Sequence, residues 1–437
     1  MKGIFLMLFF FINILYAQSQ KRHNAITEIQ QQVWSITEVM YHDAINPPAA
    51  ARFYAYSMLT GYEILSQIDS SANTFHKKLR DYPSKKFAVS PAVNEELAVL
   101  YGILETGKNI IPSGYLLEGK QQQLLSDFRN NGCTGMAIDS SVAIAKIISK
   151  LIVQYSRGDG YFSLSTKARY KPIAAPPYWK PTPPEYMAAV EPNWNTMRTF
   201  FIDSSRQFKP PPAASFNEDT SSGFMRLTKQ VYETSMHLTD EQKAIADFWD
   251  CNPFAVEFQG HMSIGLKKIS PGGHWMSITG IAGKKAALNF QKTMLLHTLV
   301  ALTLHDAFIS CWDEKYRSNR IRPETSINRY IDPKWKPFLQ TPPFPEYSSG
   351  HSVISTASAE VLTYFLGDHF SFNDSTETYI GIPARKFSSF RSAAAEARIS
   401  RLYGGIHFLD AIENGEEEGR DIGKFIIHKL QIEPFIK

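Results

Sequence analysis

One long apolar segment, residues 286–312, restricts the fold more than any other part of the sequence. Apolar side chains continue around its whole circumference, which indicates a helix that is buried on all sides or one that spans a membrane. Its most apolar stretch, residues 294–309, contains His297, His305 and Asp306, and such residues are unfavourable inside a bilayer. The segment therefore predicts a central core helix and no membrane span.

Helical patterns also dominate the rest of the chain, and strand-like alternation is sparse. Apolar residues at helical spacing occur at 49–68, 93–104, 142–153, 241–249, 352–366 and 411–430. Thr239 followed by Gln242 predicts a capping box before the helix at 241–249. These patterns predict an all-α fold of packed helical bundles.

A proline-rich segment at residues 170–212 interrupts the helical patterns. Extended segments of this kind run over a protein surface, and this one also carries Tyr178, Trp179 and Trp194. We expect a surface excursion that is either ordered against the helices or a mobile linker between two helical regions.

Bulk composition excludes several classes of protein. The chain has 437 residues, enough for one large core or two modest ones, and its net charge is only +4. No basic tract indicates a nucleic-acid partner. The three cysteines, Cys133, Cys251 and Cys311, leave at least one thiol unpaired and lack the spacing of a structural zinc site.

The N-terminus predicts export. A basic start at Lys2, an apolar run over residues 4–16 and a small residue at Ala17 are typical of a signal peptide at residues 1–17. The mature protein would then be periplasmic or secreted. An uncleaved N-terminal anchor is the alternative interpretation.

Three short motifs near the C-terminus contain the residue types that bind a tetrahedral oxyanion. Guanidinium groups match phosphate-like oxygens, lysine adds a point charge, and a helix start adds backbone N–H groups. Taken alone, each motif also fits a solvated charged face or an ordinary capped helix. In chain order the motifs are Lys315 with Arg322-Pro323, then Ser349-Gly350-His351, then Ser400-Arg401 with His407.

Spacing suggests how these residues could converge. Lys315 and Arg322 are seven residues apart, which on one helix places them on nearly the same face. Pro323 disfavours helical geometry at Arg322, so we expect that arginine at a helix end. Gly404-Gly405 offers a break that could turn the side chains on either side of it inward.

The order and spacing of the motifs resemble the signature Lys-x6-Arg-Pro, Pro-Ser-Gly-His, Ser-Arg-x5-His. This signature is shared by the vanadium-dependent haloperoxidases, the type 2 phosphatidic acid phosphatases and the bacterial acid phosphatases. The match covers about residues 297–430, and Ser348 stands where these families usually have proline. The resemblance implies two four-helix bundles, with an N-terminal helical region at 18–240 and a catalytic region at 241–437.

The resemblance also implies roles for individual residues. His407 would bind vanadium directly in a haloperoxidase, or become phosphorylated in a phosphatase. His351 would act as an acid or base, and Lys315 would also polarise a bound peroxide. Asp410, which is near His407 in the sequence, is a candidate acceptor for the other ring nitrogen of His407, and helix capping is the alternative role. The expected oxyanion-binding residues are Lys315, Arg322, Ser349, Gly350 and Arg401, and the expected aromatic wall on the halide side consists of Trp312 and Phe344.

Three features favour the haloperoxidase interpretation. The chain is longer than a minimal acid phosphatase, it lacks the membrane helices of lipid phosphatases, and residues 311–315 resemble bacterial haloperoxidases. The expected cofactor is vanadate, and the expected small-molecule partners are hydrogen peroxide, iodide or bromide, and an organic acceptor. A secreted acid phosphatase without a cofactor is the alternative, and a phosphate-binding protein a third hypothesis. The sequence leaves oligomer formation open.

Overall fold

The computed structural model describes residues 28–69, 76–183, 185–254, 256–259, 262–265 and 268–435, so the predicted signal peptide lies outside the described residues. Within this part, the first helix, α1, spans residues 28–42. It is followed by α2 (Pro47–Ile68), α3 (Glu95–Ile110), α4 (Leu117–Asn130), α5 (Gly135–Arg157), α6 (Tyr161–Leu164), α7 (Gly223–Met236), α8 (Asp240–Phe248), α9 (Pro271–Lys285), α10 (Phe290–Ser318), α11 (Pro323–Tyr330), α12 (Gly350–Leu366), α13 (Phe390–Tyr403) and α14 (Leu409–Leu430).

Strands among the described residues form two short antiparallel hairpins. The first pairs β1 (Val256–Gln259) with β2 (Met262–Gly265), and the second pairs β3 (Phe372–Asp374) with β4 (Arg385–Phe387). Single 3-10 turns lie at His76–Lys78, Gly114–Leu116, Trp194–Thr196 and Thr376–Ile380. The prediction of an all-α fold is therefore confirmed.

Helix α10 is the centre of the molecule. On one side α2 packs against it, with α3 and α5 behind; on the other side it contacts α9, α12 and α14, and α13 packs against α12. It is long and apolar enough to cross a membrane, but the apolar part is completely buried inside the protein. The main apolar core accordingly includes residues from Ile29 to Ile432, on both sides of the predicted division at residue 240.

The ends of α10 differ from the predicted segment for local reasons. Asn289 accepts a hydrogen bond from the N–H of Lys292 and starts the helix at Phe290, after Ala287 in a left-handed conformation. The helix continues to Ser318 and is ended by Asn319, also left-handed. The prediction that Lys315 and Arg322 share one helical face is therefore wrong, because the helix ends between them.

Two further helix boundaries have clear causes in the sequence. The capping box of Thr239 and Gln242 is present in full at the start of α8, as predicted. Arg322 is extended, with φ −83° and ψ 152°, and precedes α11, whose first residue is Pro323. A proline at the first helical position disfavours helical geometry at the preceding residue, so this arginine lies at a helix end.

The proline-rich segment packs against the helices. Trp179 and Trp194 are completely buried, and the N–H of Trp179 donates to the carbonyl of Asn319 at 2.8 Å. The buried carboxylate of Asp306 on α10 accepts three backbone N–H groups from residues 200–202, at 2.7, 2.7 and 3.1 Å. These contacts explain why a carboxylate occurs within the apolar helix. They also attach the proline-rich segment to the core.

Candidate active site

A narrow cavity of about 40 Å³ lies between α10, α12, the end of α13 and the loops that precede α9 and α12. A cavity of this volume suits small reactants. The lining residues are mostly apolar with a few convergent polar groups, as is usual for ligand sites. Among the motif residues and the expected aromatic wall, those that line it are Trp312, Phe344, Gly350, His351, Arg401 and His407.

The N-terminus of α12 points its backbone toward this cavity. Ser349 caps the helix, and its buried hydroxyl accepts a hydrogen bond from the N–H of Ser352 at 3.4 Å. Gly350 lines the cavity, and a Cβ atom there would lie 3.8 Å from the Trp312 ring and 3.9 Å from Cε of Lys315. A side chain at this position would therefore occupy cavity space, so glycine keeps the helix start accessible to a ligand.

His351 lies on the first turn of the same helix and faces the cavity. Its Nε2 atom is buried and has no hydrogen-bond partner among the described residues. Burial holds the pKa of His351 well below its ordinary value, and the positive charge of Arg401 lowers it further. The imidazole is therefore neutral at neutral pH, as a proton acceptor must be.

His407 is held in one orientation by a buried carboxylate. Its Nδ1 donates to Oε1 of Glu346 at 2.8 Å, and its Nε2 lies 3.2 Å from Nη1 of Arg322. Burial, followed by the charges of Arg322 and Lys315, holds the pKa of His407 well below its ordinary value. The ring is therefore neutral, with its proton on Nδ1 and its lone pair on Nε2.

Glu346 is a candidate site residue that the sequence did not predict. It also accepts the N–H of Phe408 at 3.0 Å and pairs with Arg320 at 3.3 Å. Asp410, suggested from its position near His407, instead binds Arg320 at 2.7 Å and the N–H of Ala214 at 3.0 Å. The chemistry of the site could have indicated Glu346, because an imidazole that binds a metal needs a hydrogen-bond acceptor on its other nitrogen. Glu346 is a carboxylate that shortly precedes the serine-glycine-histidine motif.

Lys315 is completely buried beside the loop that leads to α12. Its ammonium group donates to the carbonyls of Pro345, Glu346 and Ser348 at 3.2, 3.0 and 2.5 Å. Burial lowers the pKa of Lys315 to about 8. Its charge therefore acts close to the cavity, while its protons hold the loop that carries Glu346.

The two arginines of the motifs donate to backbone carbonyls of segments around the site. Arg322 donates to the carbonyls of Phe344 at 2.9 Å and Ile406 at 2.8 Å, and its buried Nη2 has no hydrogen-bond partner among the described residues. Arg401 lines the cavity and donates to the carbonyl of Trp249 at 2.7 Å. Gly404 ends α13 and Gly405 follows at φ +74°, which lets the chain turn between Arg401 and His407.

Trp312 and Phe344 form an aromatic wall of the cavity, with ring centroids 5.0 Å apart. The indole N–H of Trp312 donates to the carbonyl of Val190 in the proline-rich segment at 3.2 Å. The ammonium of Lys315 lies 5.2 Å from the Phe344 ring and 5.8 Å from the Trp312 ring. The aromatic wall is therefore held by the proline-rich segment through Val190, and it lies next to the ammonium group of Lys315.

Ser348, the departure from the family signature, belongs to a polar network behind Lys315. Its hydroxyl donates to Glu418 at 2.7 Å, and Ser310 donates to the other oxygen of Glu418 at 2.7 Å. Burial raises the pKa of Glu418 to about 7. The serine hydroxyl therefore connects the active-site loop to α14, a contact that a proline side chain cannot make.

Comparisons with known proteins identify the family to which the fold belongs. A family model described as the VCPO second helical-bundle domain matches residues 295–433. A crystal structure described as the first bacterial vanadium-dependent iodoperoxidase is 40% identical, with a TM-score of 0.88, over 94% of this chain and 97% of its own. A search of curated protein sequences gave no match.

More distant solved structures share the fold. They are a holo-type bacterial vanadium-dependent chloroperoxidase, at 16% identity and a TM-score of 0.65, and an apo-type one, at 15% and 0.67. Each match covers 89% of this chain. It covers 92% of the holo-type chain and 94% of the apo-type chain. Given the 40% identity to the iodoperoxidase structure over nearly the full length of both chains, this chain belongs to the bacterial vanadium-dependent haloperoxidases.

Proposed function

We propose that the chain is a vanadate-dependent haloperoxidase that oxidises iodide or bromide with hydrogen peroxide to a hypohalous species. The observation that carries this proposal is the pairing of His407 with Glu346, which leaves the lone pair of Nε2 on the side of the cationic groups. A neutral imidazole in a fixed tautomer is suited to ligate a metal centre. Arg322 and Lys315, which lie near His407, supply the positive charge that an oxyanion requires.

The residues present fit vanadate. The buried Nη2 of Arg322 and Nε2 of His351 have no partner among the described residues, and oxygens of a bound oxyanion would supply partners. His407 would provide the ligand atom, and Lys315, Arg322, Arg401, the Ser349 hydroxyl and the N–H of Gly350 would surround the oxygens. When bound, vanadium(V) supplies Lewis-acid activation of peroxide without changing its oxidation state.

The protein side of the reaction then follows from the protonation states. Nε2 of His351 would accept a proton from incoming hydrogen peroxide, because the ring is neutral and this nitrogen lies at the cavity without a partner among the described residues. The ammonium of Lys315 supplies a proximal positive charge that favours negative charge developing on oxygen. Trp312 and Phe344 exclude water from the side where a polarisable halide would approach.

Iodide is the first halide to test. It is the easiest of the halides to oxidise, and the relative that is 40% identical is described as an iodoperoxidase. The uncharged rings of Trp312 and Phe344 do not distinguish two halides of the same charge, so bromide is the second halide to test.

A vanadate titration of vanadium-free protein tests the proposal. We expect peroxide-dependent iodide oxidation to require vanadate, to saturate at one vanadate per chain and to be inhibited competitively by phosphate. Arg329→Ala, which removes a half-exposed arginine from α11, is the matched control and should keep full activity. Oxidation that survives vanadium removal would contradict the proposal. So would hydrolysis of a phosphomonoester without any iodide oxidation, which would support the acid phosphatase alternative.

We also propose that the protein is exported, on the basis of the apolar N-terminal segment in the sequence. Expression of the full chain in a bacterium with a secretion system tests this. A mature N-terminus near Gln18 in the periplasm or medium is the expected result, and an uncleaved chain retained in the membrane would support an anchor instead.

A further inference from the structure

A second cluster of polar side chains lies behind the wall of the active-site cavity. Cys251 follows α8, His274 lies on the first turn of α9, and Asp374 and Glu377 come from β3 and the 3-10 turn after it. All four side chains are buried, with relative exposures of 3, 0, 0 and 2%. Groups of this kind are costly to bury unless they are paired or coordinate a metal ion.

The donor atoms of three of these residues are spaced as metal ligands. One donor atom each of Cys251, His274 and Glu377 lies within 4.8 Å of the other two. Sγ of Cys251 is 3.5 Å from Nδ1 of His274, and Oε1 of Glu377 is 3.0 Å from the same nitrogen. Usual zinc bond lengths and tetrahedral angles give about 3.5 Å between sulfur and nitrogen and about 3.3 Å between nitrogen and oxygen.

Asp374 completes the arrangement from the other side of the imidazole. Nε2 of His274 donates to Oδ2 of Asp374 at 2.8 Å, which orients Nδ1 toward Cys251 and Glu377. A carboxylate on the second ring nitrogen is the usual partner of a metal-binding histidine. Oε2 of the buried Glu377 has neither a hydrogen-bond nor an ion-pair partner among the described residues.

A protonated imidazole between two carboxylates is the competing interpretation. The pKa of His274 is raised well above its ordinary value, with Asp374 as the main cause that overcomes burial. That interpretation accounts for Asp374, but it leaves one oxygen of Glu377 and the thiol of Cys251 without a strong partner. A divalent cation would engage all three donors at once.

We propose that Cys251, His274 and Glu377 bind one Zn²⁺ ion, with Asp374 orienting His274. Binding replaces the Nδ1 proton of the imidazolium and the thiol proton of Cys251, so that two protons are released for each ion bound. The three protein ligands leave a fourth position for water or for the second oxygen of Glu377.

The site would stabilise the wall of the oxyanion cavity. Cys251 itself lines the cavity, and the Trp249 ring stacks on His274 with centroids 4.5 Å apart. The carbonyl of Trp249 accepts the hydrogen bond from Arg401. Zinc would therefore fix the segment whose carbonyl positions Arg401.

Cobalt substitution tests the site directly in the full-length, vanadium-free protein. After chelator treatment and dialysis, one equivalent of Co²⁺ should produce a thiolate-to-cobalt charge-transfer band, and Zn²⁺ should abolish it. Calorimetry of Zn²⁺ binding in buffers of different ionisation enthalpy should report two protons released. The absence of both the band and stoichiometric zinc binding at micromolar metal would overturn the proposal, whatever the variants do.

Variants then identify the ligands. Cys251→Ser should abolish the charge-transfer band, and Asp374→Asn should weaken Zn²⁺ binding by about 10- to 100-fold. Cys133→Ser is the matched control because Cys133 is a free cysteine outside the cluster, and it should leave the band and the zinc affinity unchanged. A band that persists in Cys251→Ser and disappears in Cys133→Ser would place the metal elsewhere and contradict the assignment.

Discussion

Replacing Glu346 by glutamine tests the part of the site that tertiary structure alone reveals. The carboxylate accepts Nδ1–H of His407 at 2.8 Å in a completely buried position. Glutamine keeps the shape but removes the negative charge, and its amide group would also face the guanidinium of Arg320, 3.3 Å from the present carboxylate. The tautomer and basicity of His407 would then no longer be fixed.

The expected loss follows from the strength of this bond. Hydrogen bonds to charged groups contribute about 1.5–3 kcal/mol net, and 1.4 kcal/mol corresponds to about tenfold in affinity. Removing the carboxylate behind a ligating histidine usually weakens metal binding by about 10- to 100-fold. We therefore expect Glu346→Gln to raise the dissociation constant for vanadate by about 10- to 100-fold.

Equilibrium dialysis with vanadium quantified by mass spectrometry measures this constant. Asp410→Asn is the matched control, because Asp410 also binds Arg320 but does not touch His407. The control should change vanadate affinity by less than about threefold, within the range of a surface charge effect. Equal affinities for wild type and Glu346→Gln, or an equal loss in both variants, would refute the orienting role of Glu346.

Three further changes test other contacts. Arg322→Lys should weaken competitive inhibition by phosphate by at least about tenfold, because lysine cannot reproduce a guanidinium fork; unchanged inhibition would exclude Arg322 from the anion site. Ser348→Ala should cost about 1–3 kcal/mol in urea unfolding by removing the hydrogen bond to Glu418, while activity is retained; unchanged stability would contradict this. Burial lowers the pKa of His297 to about 4, so the unfolded state binds a proton that the folded state excludes and stability falls as pH drops from about 6.5 to 4. His297→Gln should remove about 2 kcal/mol of the stability difference between pH 7 and pH 5, and an unchanged difference would show that His297 titrates normally.

The sequence predicted those features that local patterns determine. Helical spacing, the capping box at Thr239 and the proline after Arg322 all act within a few residues, and the structure has helices and helix ends at these places. The three motifs were recognisable because each keeps its own internal spacing. Polar residues within the apolar segment, such as Asp306, were also informative, because they predicted that the segment is not a membrane span.

Contacts between distant segments could not be read in the same way. Glu346 and His407 are 61 residues apart, and Arg401 meets the carbonyl of Trp249 across 152 residues. Neither pairing follows a helical or strand period, so only the folded chain brings them together. The end of α10 was also not predictable from spacing. The seven-residue separation of Lys315 and Arg322 suggested a continuous helix, but the left-handed Asn319 ends the helix at Ser318.

Vanadium retained after dialysis tests the central claim most directly, because it separates the two histidines of the cavity. Wild-type protein and His351→Ala should each retain one vanadium per chain, with turnover of His351→Ala reduced by about 10²- to 10⁴-fold. His407→Ala should retain none at the same vanadate concentration. Stoichiometric retention by His407→Ala, or complete loss by His351→Ala, would contradict the assignment of Nε2 of His407 as the ligand and of His351 as the proton acceptor.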